Sequence, residues 1–502
     1  MEMRAEGRGK GDGRWYSEPW NIFWVGFALR VAVILIGHTY KVRTDQANFN
    51  FGFEAGRIAR SVATGHGYAN PFNGASGPTA WLTPLYPLLM AAAFKLFGVY
   101  SRGAALALLV VDSAFSAAVA PAVYEIAARC FDARGIARRG SKAAAPVAVW
   151  SAWVWAVYPA ALQYAIHWLW EMSLTVCLFA WAMVVVLRLR GVGEDVAAEG
   201  EHTPGAKAPD FAGDMRPEAE ASGYPLSVKA EVLGDLLPAE AGDGDMSPVK
   251  GGTRCLLWVV LGVLWGLIAL SNASLLLCLP AMIVWVAWPE LRRRRISLRT
   301  LWGAVLTTVM FAAVLAPWVA RNERVLHALV LTRSNFGVEF YNSSLPSNDG
   351  LPWGTAMPLW QGDPVFKEYE RMGEVKFAQM RQAKAMANLR KRPGLFVRWT
   401  VGRFFFFWDG TPHPPDRHPV QEYLRQLSYS FISACGLLGL MLMARRRVEG
   451  AGMFVLAFAL VPLVYYMVTV QPRFRHPIEP LIAVLAVYLF RSTEPRRDRG
   501  RV

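Results

Sequence analysis

The feature that most constrains this chain is a series of apolar, nearly uncharged runs. They lie near residues 20–38, 82–98, 103–128, 143–167, 172–188, 255–271, 273–289, 300–320, 424–443, 451–470 and 477–490. A helix needs roughly 17 to 25 residues to cross about 30 Å of hydrocarbon, where each backbone amide must be satisfied within its own segment, and several of these runs meet that length. With 54% hydrophobic and 18% charged residues among 502, there is more apolar surface than one core can absorb. That excludes a soluble globular enzyme, a fibrous repeat and a disordered chain. The chain reads as an all-α polytopic membrane protein.

The net charge of +15 suggests a nucleic-acid partner only until its distribution is considered. Residues 191–253 carry 13 acidic and 4 basic side chains, so the positive charge is concentrated elsewhere, mostly in short clusters beside the apolar runs. That is the pattern of the positive-inside rule, and no nucleic acid is indicated. Of the five cysteines, Cys177, Cys255, Cys278 and Cys435 lie in or beside apolar runs and Cys130 in a basic loop, so no disulfide framework is implied. The basic, Gly-rich start before residue 20 reads as an uncleaved signal anchor with its N-terminus inside.

Charge parity sets the register of the spans. If 82–98 crossed, the loop with Arg129, Arg134, Arg138, Arg139 and Lys142 would face outward together with the acidic insert. If it stays in the interface, that loop turns inward with residues 292–295, 445–447 and 491–501. Pro84, Pro87 and Lys95 also suit a segment that does not span. The expectation is a bundle of about ten transmembrane helices in an inner (plasma) membrane, with both termini cytoplasmic.

The expected organisation is an N-terminal transmembrane module with the first outer loop (1–190), a disordered cytoplasmic insert (191–253) and further spans (254–320). A second outer segment (321–423) and the C-terminal spans with a basic tail (424–502) complete it. The insert is rich in Ala, Gly, Glu, Asp and Pro and buries too little to offset chain entropy. The first outer segment offers an amphipathic helix over 51–64. The second offers a basic amphipathic stretch at 374–392 and an aromatic approach at 404–408. It holds 14 basic against 10 acidic residues, which suits an anion on that side or, equally, a solvated face beside lipid headgroups.

Acidic residues near the outer face are few. Glu54 shares a helical face with Arg57 and Ile58, so it is either half of an intrahelical ion pair or a carboxylate at the lip of the bilayer acting as general base. Glu171 lies between two spans in His167-Trp-Leu-Trp-Glu, and Asp45 stands in a polar stretch. Arg57, Arg60, Arg321, Arg333, Arg473, Arg475 and His476 are the cationic or titratable candidates on that side. Guanidinium suits phosphate at headgroup depth, with interfacial anchoring as the alternative. No phosphate-binding loop, zinc spacing or Gly-x-Ser-x-Gly elbow is present, so neither a metal nor a cofactor is expected.

The run Ile58-Ala-Arg-Ser-Val-Ala-Thr-Gly-His-Gly-Tyr, then Gly77-Pro-Thr-Ala-Trp-Leu-Thr-Pro-Leu-Tyr-Pro and Leu96-Phe-Gly, resembles bacterial glycosyltransferase family 39. Trp265-Gly-Leu-Ile-Ala-Leu and the ending Arg473-Phe-Arg-His-Pro-Ile-Glu-Pro-Leu resemble later parts of such proteins. That family includes protein O-mannosyltransferases and the lipid A aminoarabinose transferase. The resemblance implies a GT-C-like fold and a transferase that takes a sugar from a polyprenyl-phosphate carrier on the outer side, with a membrane lipid environment and an acceptor yet to be identified. It also implies an acidic base in the first outer loop, often an Asp-Glu pair followed by Tyr. Here Glu54 stands without such a pair, Asp45 is its rival, and Glu171 matches a second acidic place. Tyr86, in the motif run, is carried with the Arg candidates as a substrate contact. The expected chemistry is a direct, inverting displacement at the anomeric carbon. Two alternatives stand beside it. One is an O-antigen-ligase-like or polymerase-like transferase using His476, and the other is a lipid or sugar transporter with charges deep in its spans.

Overall fold

The computed structural model describes residues 15–42, 49–132, 146–193, 251–346, 357–411 and 419–492. Asp45, most of the acidic insert and the C-terminal tail lie outside the described residues. Among the described residues the chain is helical, with no strand beyond isolated bridges such as Ala69 to Pro78 and Asn73 to Trp360.

The described residues form eighteen α-helices. The first seven are α1 Pro19–Ile36, α2 Glu54–Ala63, α3 Leu85–Phe97, α4 Arg102–Ala127, α5 Pro146–Ala156, α6 Pro159–His167 and α7 Met172–Arg190. Then follow α8 Gly251–Ala269, α9 Cys278–Arg292, α10 Leu298–Leu326, α11 Phe336–Ser343, α12 Pro364–Met372, α13 Glu374–Lys391 and α14 Pro393–Asp409. The last four are α15 Pro419–Arg445, α16 Ala451–Leu460, α17 Leu463–Met467 and α18 Glu479–Ser492.

Among the described residues seven helices are long and apolar enough to cross a membrane, against the ten spans expected. The other three regions are apolar but broken or short, and proline is the reason. Pro159 separates α5 from α6 after Val157, and Pro462 separates α16 from α17, because proline lacks the N–H that would bond one turn back. Pro472 and Pro477 hold residues 472–478 in a 3-10 turn, so α18 starts late and has 14 residues. Where helices do run on, their starts are capped. Ser101 Oγ accepts the Ala104 N–H at 3.0 Å, and Ser297 Oγ accepts the Thr300 N–H at 3.2 Å.

Glycine allows the closest approach in the bundle. A Cβ on Gly262 or Gly266 would strike Thr307, Met310 or Val314, so α8 and α10 lie backbone to backbone there, as small residues permit in membranes. Trp155, Trp265, Leu261, Phe454, Ile482 and Leu485 fill the main core where α4, α5, α7, α8, α16 and α18 meet.

The basic clusters gather at one end of the bundle. Arg129 and Arg188 both pair with Glu125, at 2.8 and 2.9 Å. Arg190 donates to the Val286 carbonyl, Arg254 to the Leu189 carbonyl, and Arg446 to the Tyr488 hydroxyl. The start of α1 joins them, because Trp153 Nε1 donates to the Tyr16 carbonyl at 2.9 Å. Helix α3 has both ends at the opposite end of the bundle. The Leu85 N–H bonds the Leu270 carbonyl at 3.0 Å, and Phe94 packs against Phe51 and Tyr100.

At that opposite end, residues 64–84 are clasped against α10 and α13. Arg321 donates to the Thr79 and Tyr68 carbonyls at 2.6 and 2.7 Å. The Glu374 carboxylate, 4% exposed, accepts from the Ala80 N–H at 2.6 Å, Ser334 Oγ at 2.7 Å, Tyr369 Oη at 2.9 Å and the Thr79 hydroxyl. Phe72, Trp81, Tyr369 and Phe377 form a small aromatic core around this clasp.

Candidate functional site

Glu54 is presented by a strained turn. Phe51 is locked edge-on between Phe94 and Tyr100, with centroids at 5.8 and 5.2 Å, and Gly52 (φ +71°) passes so close to Leu169 that a Cβ would strike its carbonyl. Phe53 then takes φ 46°, ψ −100°, a backbone region costing on the order of 1–3 kcal/mol for a non-glycine residue. Such strain persists only where neighbours enforce it, and here it directs the first residue of α2. The Phe53 ring covers the buried Arg57 guanidinium at 4.3 Å.

Glu171 caps the start of α7, so both carboxylates come from helix N-termini, where the macrodipole favours negative charge. Arg473, from the 472–478 turn, lies flat on Trp170 with its guanidinium carbon 3.8 Å from the ring centroid. It lies within electrostatic reach of Glu171, Glu54 and Glu339, yet forms no ion pair or hydrogen bond with any described residue. Burial pulls its pKa below the ordinary guanidinium value, and the carboxylates pull it back. Arg333 feels Glu339 from the other side and, like Arg473, has no hydrogen-bond partner among the described residues. It also borders a cavity of about 240 Å³ between residues 329–337 and α13.

The Glu54 carboxyl is pushed up to about 7. Burial is the main cause and Glu339 adds to it, while its own backbone N–H, Arg473 and Arg57 oppose. Glu339 is likewise raised by burial against the pull of Arg333 and Arg473. Three carboxylates and three guanidinium groups thus share one half-buried patch, and neither Arg333 nor Arg473 is paired directly with a described carboxylate. Deeper in, Tyr86 Oη donates to Asp112 Oδ2 at 2.7 Å, within electrostatic reach of Glu171.

The structure therefore brings together Glu54, Glu171, Arg57, Arg333 and Arg473, with Tyr86 beneath them. It adds Glu339, on α11, which nothing in its spacing distinguishes from the other acidic residues of the 321–423 segment. Asp45 lies outside the described residues, and Arg60 is exposed on α2.

Three expected contacts are spent elsewhere. Arg321 holds residues 68–79, as described above. Arg475, 1% exposed, pairs with Glu479 Oε1 at 3.2 Å, donates to the Ser433 hydroxyl and covers the Tyr429 ring. His476, also 1% exposed, holds Glu479 Oε2 through Nδ1 at 2.6 Å and stacks on Trp155. The reason is local: at three residues per turn, Arg473 and Arg475 diverge by about 240°, so one faces the patch and the other the core. Among the described residues no group of His, Cys, Asp or Glu is spaced to hold a metal ion, and all five cysteines are free.

No protein-family model and no curated protein matches the chain. Among solved structures it is similar to the archaeal oligosaccharyltransferase AglB from Archaeoglobus fulgidus, in complex with an inhibitory peptide and a dolichol-phosphate. That match has 12% identity, covers 95% of this chain and 50% of that one, and has a TM-score of 0.49. The chain thus spans about half the length of that protein. It is also similar to ArnT from Cupriavidus metallidurans bound to undecaprenyl phosphate, at 14% identity, 93% and 77% coverage and a TM-score of 0.33.

Proposed function

We propose that this protein is a membrane glycosyltransferase that moves a sugar from a polyprenyl-phosphate carrier to an acceptor hydroxyl or amine, at the membrane face opposite the basic clusters. The observation that carries this reading is Arg473. It is a half-buried guanidinium held flat by Trp170, with unspent donors, beside three carboxylates that do not pair with it directly. Such a group is preorganised for an anion that is not yet there, and a phosphate matches its planar donors. The positive-inside pattern supports an outer-side location for this end of the bundle.

In the proposed step, ionised Glu54 takes the proton of the acceptor as the acceptor atom attacks the anomeric carbon. The bond from that carbon to the phosphate oxygen breaks, and polyprenyl phosphate leaves. Arg473, with Arg333, offsets the charge that grows on the leaving oxygen, and attack from the opposite face inverts the anomeric centre. Glu171 and Glu339 would hold Arg473 in place and orient sugar hydroxyls. The ligase-like alternative loses its support in the geometry, because His476 is sealed in the core and paired with Glu479.

The test uses the full chain in detergent with undecaprenyl phosphate as probe, and membranes for transfer. Arg473→Gln should weaken probe binding at least tenfold. Glu54→Gln should bind the probe as the wild type does but release no polyprenyl phosphate from a sugar-loaded carrier. Unchanged probe binding in Arg473→Gln, or full turnover in Glu54→Gln, would refute the assignment.

A further inference from the structure

The helices α13 and α14 meet at an elbow that the proposed reaction does not use. Arg390, Lys391 and Arg392 close α13, and Arg398 lies in the second turn of α14. All four side chains are exposed, and none has a hydrogen bond or ion pair with a described residue. The nearby Glu368 is already occupied by Arg381 at 2.8 Å. Beyond Arg392 and flanking Arg398, Val397, Val401, Phe404 and Phe405 are exposed along one side of α14, while Trp399, Arg403 and Phe407 are buried on the other. A soluble surface would not carry such a stripe; a lipid-facing one would.

The depth of the elbow follows from helix lengths. Asp409, at the end of α14, lies against Ser430 of α15, whose hydroxyl reaches the Asp409 carbonyl at 3.3 Å. From Ser430 to Arg445, at the basic end of the bundle, α15 advances about 22 Å, and α14 adds up to about 24 Å when upright. The sum matches the roughly 40–45 Å between the two headgroup layers once α14 tilts slightly. An α14 standing near upright would thus carry the four cations to headgroup depth, with the apolar stripe running into the hydrocarbon.

We propose that the α13–α14 elbow is a binding site for the anionic headgroup of a bilayer phospholipid, with its acyl chains along Val397, Val401 and Phe404. Clustered Arg and Lys gain from phosphate at this depth, and the stripe supplies what a free anion would not need.

The full chain is reconstituted in mixed bilayers with photoactivatable phosphatidylglycerol or photoactivatable phosphatidylcholine, and labelled peptides are mapped. The expected result is labelling of residues 384–405 at least fivefold stronger with phosphatidylglycerol. Combined R390Q, K391Q, R392Q and R398Q should remove that preference, while labelling near residues 292–295 stays unchanged as an internal control for folding and insertion. Millimolar inorganic phosphate should not compete. Equal labelling by the two lipids, retention of the preference in the combined variant, protection by inorganic phosphate, or crosslinks from this elbow to a second copy of the chain in place of lipid would each overturn the proposal.

Discussion

Removing the Glu374 carboxylate should release the clasp over residues 64–84. Its two oxygens accept four hydrogen bonds, from the Ala80 N–H, Ser334, Tyr369 and Thr79, and the side chain is 4% exposed. Hydrogen bonds to a charged acceptor contribute on the order of 1.5–3 kcal/mol each. They are not additive, and three of the donors are hydroxyls that can turn to other partners. The Ala80 N–H is fixed by the backbone and cannot. Glu374→Ala should therefore cost about 3–5 kcal/mol of local stability, from one charge-assisted hydrogen bond lost and the Ala80 donor left unsatisfied. Glu374→Gln keeps an acceptor for Ala80 and should cost about 1–2 kcal/mol. Hydrogen exchange in detergent reads this out directly. At about 1.4 kcal/mol per factor of ten, amides of residues 79–81 should exchange roughly 10² to 4 × 10³ times faster in Glu374→Ala, with core amides of α4 unchanged. An acceleration below about fivefold would show that the aromatic core of Phe72, Trp81 and Tyr369 holds the loop without the carboxylate, and the reasoning would fail.

Glu54 has a folded pKa of about 7 against 4.5 for the free group, so its protonated form favours the fold. That contribution is present below about pH 4.5 and lost as pH rises toward 7. The Tm of Glu54→Gln relative to wild type should thus climb across that window and level off above it; a constant difference would contradict the burial. Transfer should rise with pH around a midpoint near 7, because the base must be ionised, and a flat profile from pH 6 to 8 would exclude Glu54 as the base. Phe53→Gly relieves the φ 46° backbone, so it should raise the Tm while lowering turnover, and higher stability with unchanged turnover would show that the strain has no role in aiming Glu54. His476→Ala leaves Glu479 without one partner in the core and should reduce folded yield, with the specific turnover of the surviving fraction intact.

The general architecture and half of the patch were legible in the sequence for a simple reason. Hydrocarbon imposes a length and a polarity on each span, and an acid such as Glu54 or Glu171 beside apolar runs stands out against that background. What decided the rest were contacts between residues far apart in the chain. Arg473 and Arg475 look equivalent in the sequence, and only the 3-10 turn fixed by Pro472 and Pro477 sends one to the patch and the other to Glu479. Glu339 and Glu374 lie among other acids of a polar segment, and only the electrostatic reach of Arg473 and the hydrogen bond from residue 80 set them apart. The count of continuous spans differed because prolines inside apolar runs interrupt helices without making them less apolar.

The buried group formed by Arg475, His476 and Glu479 bears on how the chain is built as well as on how it rests. Arg475 and Glu479 are one helical turn apart, at the leading edge of the final apolar segment, and their charges compensate each other before any partner arrives. The segment can therefore be handed to the bilayer as an electrically balanced unit, whereas a lone arginine there would oppose entry. Ser433 and Tyr429, which complete the group, sit on α15. Helix α18 is thus seated, through Arg475 at its approach, on α15, a helix that precedes it in the chain.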